Sequence, residues 1–359
     1  MPDGRRRLLP RRPRPPYLGK LAHPLDTERG VMTRRPLAIV GSALLCVVAL
    51  ARCAPGDRPD ILGLATAGTG GVYYVLGGSI AEIWSRDVPD VVAVAEVTGG
   101  SVENLSLLMT DQVDVAFSMG TNALEAYEGA GSFEGREPGE VRALVALYAN
   151  VLQLATVEGS GVSGLQDLVG KRVSVGAPGS GTEVGARILL EANGIGYEDF
   201  QPQRLNFNET ANALRDGTVA AGFWSAGPPV STIMDLATSR PVRLIPIAPE
   251  EVRRAAALDP TLRPDSIPAQ AYQGQESSVE TLSTPNILAV RADMPEELAY
   301  ALAAALLNAR EELAGVHPVA RRISAEYTLD VSPIPLHPGV VRYLRDQGHE
   351  VPDRLVESR

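Results

Sequence analysis

The sequence predicts an α/β protein built as two lobes, and three observations carry that prediction. The chain has 359 residues, comfortable for two domains of about 150 residues each and long for one. From Asp60 onward, short β-rich runs alternate with segments of helical period, the pattern of a largely parallel sheet with helices on its faces. Near the middle, VRALVALYANVLQLATV (141–157) is long, apolar and unbroken, as expected of a strand that crosses from one lobe to the other.

The elements follow in order. Residues 1–31 are rich in Arg and Pro, contain RRRLLPRRPRPP and have no apolar period with which to bury a core. They read as a disordered extension, or as sequence ahead of a true start at Met32. Residues 32–53 read as a signal peptide: Arg34 and Arg35, an apolar run from Leu37 to Ala51, then Cys53. That run is about fifteen residues, short for a bilayer, so export and an extracytoplasmic location are expected. LARC (50–53) resembles a lipobox with Cys53 as the lipidated residue, although Arg52 stands where a small residue is usual. The alternatives are an ordinary signal peptide cut near Ala54 and a retained anchor.

In the body, DILGLAT reads as the first strand and GVYYVLGGSIAEIWSR as a helix with Leu76, Ile80, Ile83 and Trp84 on one face. VVAVAEV is the next strand; Ser101 is placed to cap a helix that turns Val102, Leu105 and Leu108 inward, and VDVAFSM is a further strand. After the crossing strand a second series begins, with a strand at Arg172 to Val175 and a helix ended by Gly194. Phe200 to Phe207, Ala211 to Arg215 and Val219 to Trp224 continue the alternation. Glu250 to Ser283 reads as a polar, proline-bearing connection, TPNILAVRADMP as a return strand with a helix start at Pro295, and Glu296 to Leu313 as one Ala/Leu-rich helix. The interleaving assigns 59–147 plus 290–359 to lobe 1 and 148–289 to lobe 2, with the hinge at crossings near Tyr148 and Asn286.

Composition excludes several classes of function. A net charge of -10 argues against a nucleic-acid partner. Cys46 and Cys53 both precede the folded body, which therefore has no disulfide, thiol nucleophile or cysteine metal site. His23, His317, His337 and His349 show no metal-ligand spacing, so neither metal nor cofactor is expected.

Three turns share one design: TAGTGGVYY, VTGGSVENL and VGAPGSGTEV. In each a strand ends in Gly and Ser or Thr as a helix begins, so amide N–H groups and hydroxyls converge where the helix dipole is positive. Such a place suits a small anion, and glycine lets the backbone approach it. Any one of these turns alone is as well explained as an ordinary capped βα turn; three in one chain favour a ligand between lobes. Enzymatic motifs fail: Thr182 stands where a phosphate loop needs lysine, Tyr73 where a dinucleotide fingerprint needs a small residue, and Ser180 lies in PGSGT, outside any nucleophile elbow. Glu103, Glu183 and Asp114 are the titratable candidates left for an enzyme. Asn104 reads as a ligand contact and Glu103 as a cap; Tyr73 or Tyr74 faces the ligand while the other packs inward. Trp224 and Ser225 end an apolar strand on the ligand side, with core packing the alternative for Trp224. Arg142 and Arg187 are candidate cationic helpers.

GTGGVYYVLGGSIAEIWS, VTGGSVENLSLL, VDVAFSM, ALYANVLQLATV, LQDLVGKRVSVGAPGSGTEVGARILLE, TPNILAVRADMPEELAY and LHPGVVRYLRDQG together resemble the TAXI family of solute receptors of TRAP transporters, across Asp60 to Gly348. The resemblance implies a periplasmic-binding-protein-like fold of type II, closing on its solute in a cleft between the lobes. It implies a monomeric receptor, not an enzyme, that captures a small carboxylate, a glutamate-like amino acid or a dicarboxylate, and delivers it to a membrane permease. Carried over residue by residue, the ligand side comprises Thr69, Gly70, Gly71 and Tyr73, then Gly100, Ser101 and Asn104, then Ser180, Gly181 and Thr182, with Trp224 and Ser225 less firmly aligned. A sensor on the same fold, and an enzyme, are the alternatives.

Overall fold

A computed structural model describes residues 60–356. The segments 1–31 and 32–53, with Cys53 and the signal and lipidation readings, lie outside the described residues. No helix among the described residues is long and apolar enough to cross a membrane.

The chain opens with β1 (Asp60–Ala65), α1 (Val72–Asp87), β2 (Val91–Glu96), α2 (Ser101–Met109), β3 (Val115–Met119) and α3 (Gly120–Glu128). The stripe predicted on α1 is buried throughout: Leu76, Ile80, Ile83 and Trp84 are all 0% exposed. Strand β4 (Val141–Val157) spans the whole apolar run and is buried at every position but Ala149. Then come β5 (Arg172–Ser174), α4 (Gly181–Ala192), β6 (Gln201–Gln203), α5 (Phe207–Arg215), β7 (Ala221–Ala226), α6 (Ser231–Ser239), β8 (Val242–Ile245), α7 (Pro249–Leu258), β9 (Arg263–Ile267) and β10 (Val279–Arg291). Four helices end the chain: α8 (Glu296–Asn308), α9 (Arg310–Val316), α10 (Ala325–Val331) and α11 (Pro338–Asp346). They return to the start of the fold, where Trp84 Nε1 donates to the Leu302 carbonyl at 3.0 Å.

The strands form one curled sheet in the order β2-β1-β3-β10-β4-β7-β5-β6, with β8 added beside β4 and β9 beside β10. Its two ends repeat a single topology. At one end β1 lies parallel between β2 and β3, and β3 meets β10 antiparallel. At the other β5 lies parallel between β6 and β7, and β7 meets β4 antiparallel. The antiparallel β4–β10 pair joins the ends, with its register broken between Pro285 and Ile287. Two hydrophobic cores result: a large one including α1, β1, β3 and the C-terminal helices, and a smaller one of Leu152, Val173, Leu189, Leu190, Phe223 and neighbours. The architecture is α/β, a curled sheet whose two ends repeat one topology, with helices packed on it.

Three local expectations are corrected. Ser101 does not cap α2. Gly100 occupies the N-cap with φ of 120°, a conformation that disfavours a side chain, and Ser101 instead accepts the Met119 N–H at 3.1 Å. The stretch read as a polar connection carries α7 and β9. Proline at the first helical position and Glu250 and Glu251 in the first turn start α7, but only Val252 and Ala255 are buried, too thin a stripe to show as a period. The helix expected from Glu296 to Leu313 breaks at Ala309, the C-cap of α8 and N-cap of α9.

Candidate functional site

The antiparallel steps β3–β10, β10–β4 and β4–β7 make β1–β3 run opposite to β5–β7. Both sets end toward the middle of β4, where Met119 lies opposite Asn286 and Ala226 opposite Val151, so the βα turns of the two ends face each other. Between them lies a cavity of about 380 Å³, within the size range of small-molecule sites. Its wall takes Gly68, Gly70 and Gly71 from the β1–α1 turn, Thr98 to Ser101 from the β2–α2 turn, and Ala177, Pro178 and Ser180 to Thr182 from the β5–α4 turn. Asn206 and Phe207 come from the β6–α5 turn, Tyr148 and Asn150 from β4, and Ser225 and Ala226 from the end of β7.

Four helices, α1, α2, α4 and α5, therefore point their N-termini at this cavity. Their first-turn amides have no partner within their own helix, and their dipoles present partial positive charge. Some of these amides are already engaged across the cleft: Val102 N–H and Glu103 N–H of α2 both donate to the Gly179 carbonyl at 3.1 Å. The two ends of the sheet are thus in direct contact here. A Cβ on Gly99 would meet the Pro178 carbonyl oxygen at 2.5 Å, and one on Gly181 would meet Met119 Sδ at 2.5 Å and Ser101 Oγ at 2.8 Å. Glycine at these two positions is a condition of the close approach.

Of the residues predicted from sequence, Gly70, Gly71, Tyr73, Gly100, Ser101, Ser180, Gly181, Thr182 and Ser225 line the cavity. Thr69, Asn104 and Trp224 do not. Thr69 is exposed, and its hydroxyl accepts from Asn208 Nδ2 at 3.4 Å. Asn104, 0% exposed, is consumed by the fold: its amide donates to the Thr66 carbonyl at 2.6 Å and the Phe117 carbonyl at 2.8 Å, and its Oδ1 accepts from Thr98 at 2.5 Å. It ties the ends of β1 and β3 to α2 and has no group left for a ligand. Trp224 is buried against Phe207, ring centroids 6.2 Å apart, and donates to Thr232 Oγ1 at 3.1 Å. Between Tyr73 and Tyr74, Tyr73 faces the cavity, and Tyr74 is exposed.

Among the described residues, none that lines the cavity carries a charged side chain. Arg142 donates to the Gly139 carbonyl at 2.6 Å and the Val141 carbonyl at 2.8 Å, and Arg187 pairs with Glu191 at 3.6 Å. The acids are likewise turned elsewhere. Glu103 accepts the Gly99 N–H at 2.8 Å, Glu183 meets Arg204 at 3.6 Å, and Asp114 accepts the Gly63 N–H at 2.8 Å.

Beneath the wall a buried polar network fixes the crossing strands. Tyr73 Oη donates to Asn286 Oδ1 and accepts from Asn150 Nδ2 at 3.3 Å, and Asn286 Nδ2 donates to Asn150 Oδ1 at 2.7 Å. Burial pushes the Tyr73 and Tyr148 phenols above their ordinary range, so both remain neutral. Two hydroxyls in the wall stand out: Tyr148 Oη and Ser225 Oγ are buried and have no hydrogen-bond partner among the described residues. Orphaned groups of this kind are rare in a folded interior and costly unless something else satisfies them.

Tyr148, Asn150, Asn206 and Phe207 are among the lining residues that glycine-rich patterning misses. A signal for the last two exists. Asn206 and Glu209 form a reciprocal capping box, Asn206 Oδ1 accepting the Glu209 N–H at 3.0 Å and Glu209 accepting the Asn206 N–H at 2.8 Å. The repeated topology makes this turn the counterpart of the one after β2. Tyr148 and Asn150 sit two residues apart on one face of β4, a period-2 polar mark between the apolar stretches 143–147 and 151–152.

A sequence model described as the NMT1-like family matches residues 64–348. Among solved structures the chain is similar to a protein from Bordetella bronchiseptica RB50, at 15% identity and a TM-score of 0.49, covering 84% of this chain and 86% of that one. It is similar to a putative L-cystine ABC transporter protein from Listeria monocytogenes, at 14% identity and a TM-score of 0.47, covering 75% and 98%. The alkanesulfonate-binding protein of Xanthomonas axonopodis pv. citri, bound to MOPS, is similar at 14% identity and a TM-score of 0.47, covering 84% and 96%.

Proposed function

The chain belongs to the NMT1-like family, and from that premise we propose that it is an extracytoplasmic solute-binding receptor that captures a small carboxylate and hands it to a membrane permease of the TRAP type. The observation that carries this reading is the cavity itself, an uncharged chamber at four helix N-termini with two orphaned hydroxyls in its wall. Such a chamber favours an anion through oriented amides and hydroxyls and places no carboxylate, imidazole or amine against it, only phenols held protonated by burial, which speaks for capture without catalysis. The likeness of GTGGVYY, VTGGSVENL and GAPGSGTEV to TAXI receptors supports the permease class, and the segment 32–53 supports export with Cys53 as a lipid anchor.

In this reading 59–147 with 290–359 form one lobe and 148–289 the other, acting as a monomer hinged at Tyr148 and Asn286. The solute stabilises the closed arrangement because both sets of turns contribute only when they meet. A thermal-shift screen against amino acids, 2-oxo acids and dicarboxylates tests it. A ligand at 100 times its Kd should add about 2.7 kcal/mol of stability. No shift with any carboxylate refutes the anionic-solute reading.

A further inference from the structure

We infer that the solute is a carboxylate without an ammonium group, a monocarboxylate with an apolar body such as a branched or aromatic 2-oxo acid. The inference rests on the solute-receptor reading above and narrows its ligand. An α-amino acid needs two opposite sites, donors for its carboxylate and acceptors for its ammonium. The cavity supplies the first. The first-turn amides of α1, α4 and α5 other than those of Glu183 and Glu209, which cap their own helices, and the orphaned hydroxyls of Tyr148 and Ser225 are available to donate.

The second has no charged form. No Asp or Glu among the described residues lines the cavity, which leaves hydroxyls such as those of Tyr148, Ser225 and Thr182 as neutral acceptors, and several amide and carbonyl acceptors are in use. Asn150 Oδ1 accepts from Asn286 at 2.7 Å, Asn206 Oδ1 from Glu209 N–H at 3.0 Å, and Ser180 Oγ from Glu183 N–H at 3.2 Å. The Ala177 carbonyl accepts from Ser180 Oγ at 2.7 Å, and the Ala226 carbonyl from Gln153 at 3.1 Å. An ammonium enclosed here would lose its hydration without a counter-charge, and the helix dipoles would oppose it. A second carboxylate gains no cation either, since Arg142 and Arg187 are engaged away from the cavity. Val72, Val97, Met119 and Phe207 in the wall suit an apolar remainder instead.

Matched pairs isolate the ammonium. Calorimetric titration of the purified protein with 4-methyl-2-oxopentanoate against leucine, and phenylpyruvate against phenylalanine, should show the oxo acid of at least one pair binding about 100-fold more tightly than its amino acid. Tyr148→Phe and Ser225→Ala should each weaken that oxo acid by about tenfold, as loss of a hydrogen bond to a charged group does, without a lower melting temperature of the free protein. Leucine or phenylalanine binding as tightly as its partner overturns the inference. So does tight binding of glutamate or a dicarboxylate with no response to any monocarboxylate, an outcome that leaves the solute-receptor reading standing. Silence from every carboxylate overturns both.

Discussion

Gly99→Ala should separate folding from closure. Gly99 does not adopt positive φ, so its backbone accepts alanine. The new Cβ would lie 2.5 Å from the Pro178 carbonyl oxygen on the facing turn and 2.7 Å from Glu103 Oε2. Glu103 is a flexible side chain and can turn away; the Pro178 carbonyl is backbone and moves only if the turns part. Parting them breaks the hydrogen bonds from Val102 N–H and Glu103 N–H to Gly179, each 3.1 Å. At about 0.5–1.5 kcal/mol per bond, the closed arrangement loses about 1–3 kcal/mol, which lowers affinity roughly 5- to 150-fold when binding requires closure. The free protein should melt within a few degrees of wild type, since alanine also restricts the unfolded chain. Calorimetry with the best carboxylate of the thermal screen, and small-angle scattering with and without it, read both halves of the expectation. Wild-type affinity with normal compaction would refute the reasoning, as would a free protein that melts far lower, which would make the contact one of fold and not of closure.

Asn104→Ala should act on stability. It removes the amide donor from the Thr66 and Phe117 carbonyls inside the core, with the Thr98 hydroxyl at 3.2 Å left to serve Thr66, so urea denaturation should show a loss of about 1–3 kcal/mol, whereas a direct ligand contact would leave the free protein intact. A pH effect follows from His337, which caps α11 by accepting the Gly339 N–H at 3.2 Å through Nδ1 and whose burial lowers its pKa below the ordinary 6.5. The unfolded chain binds the proton more readily, so this contribution is intact above about pH 6.5 and is lost as pH falls below it. His337→Asn keeps a capping oxygen without the titration, and its urea midpoint should fall less between pH 7.5 and pH 5 than that of wild type.

The sequence made most of the fold legible where a strong period or an unbroken apolar run was present. The α1 stripe and the whole of β4 are cases in which burial alone decides the element. Helix α7 was hidden because two buried residues leave its polar face to dominate the composition. At the site, glycine marked the turns where backbones touch, and those turns do line the cavity. Asn104 illustrates the limit of such reasoning. A polar residue one turn into a helix at a binding cleft has the same sequence signature whether it faces the ligand or the core, and only the three-dimensional path of β1 and β3 makes its amide the partner of their carbonyls. Tyr148 and Asn150 were hidden for the opposite reason, because a long crossing strand that reads mainly as core also lines the cavity.

The neutrality of the wall has a consequence for measurement. A receptor that grips its solute with an arginine or a carboxylate mixes its own titration and its own ion atmosphere into every binding curve. Here the groups that line the cavity are amides, hydroxyls and phenols held protonated, and none changes charge between acid and mildly alkaline solution. On the proposed solute-receptor function, and while the fold stands, the protein therefore works as an indicator with a blank background: affinity plotted against pH should trace the ionisation curve of the captured molecule itself. The midpoint of that curve would identify its acid group before the molecule is known.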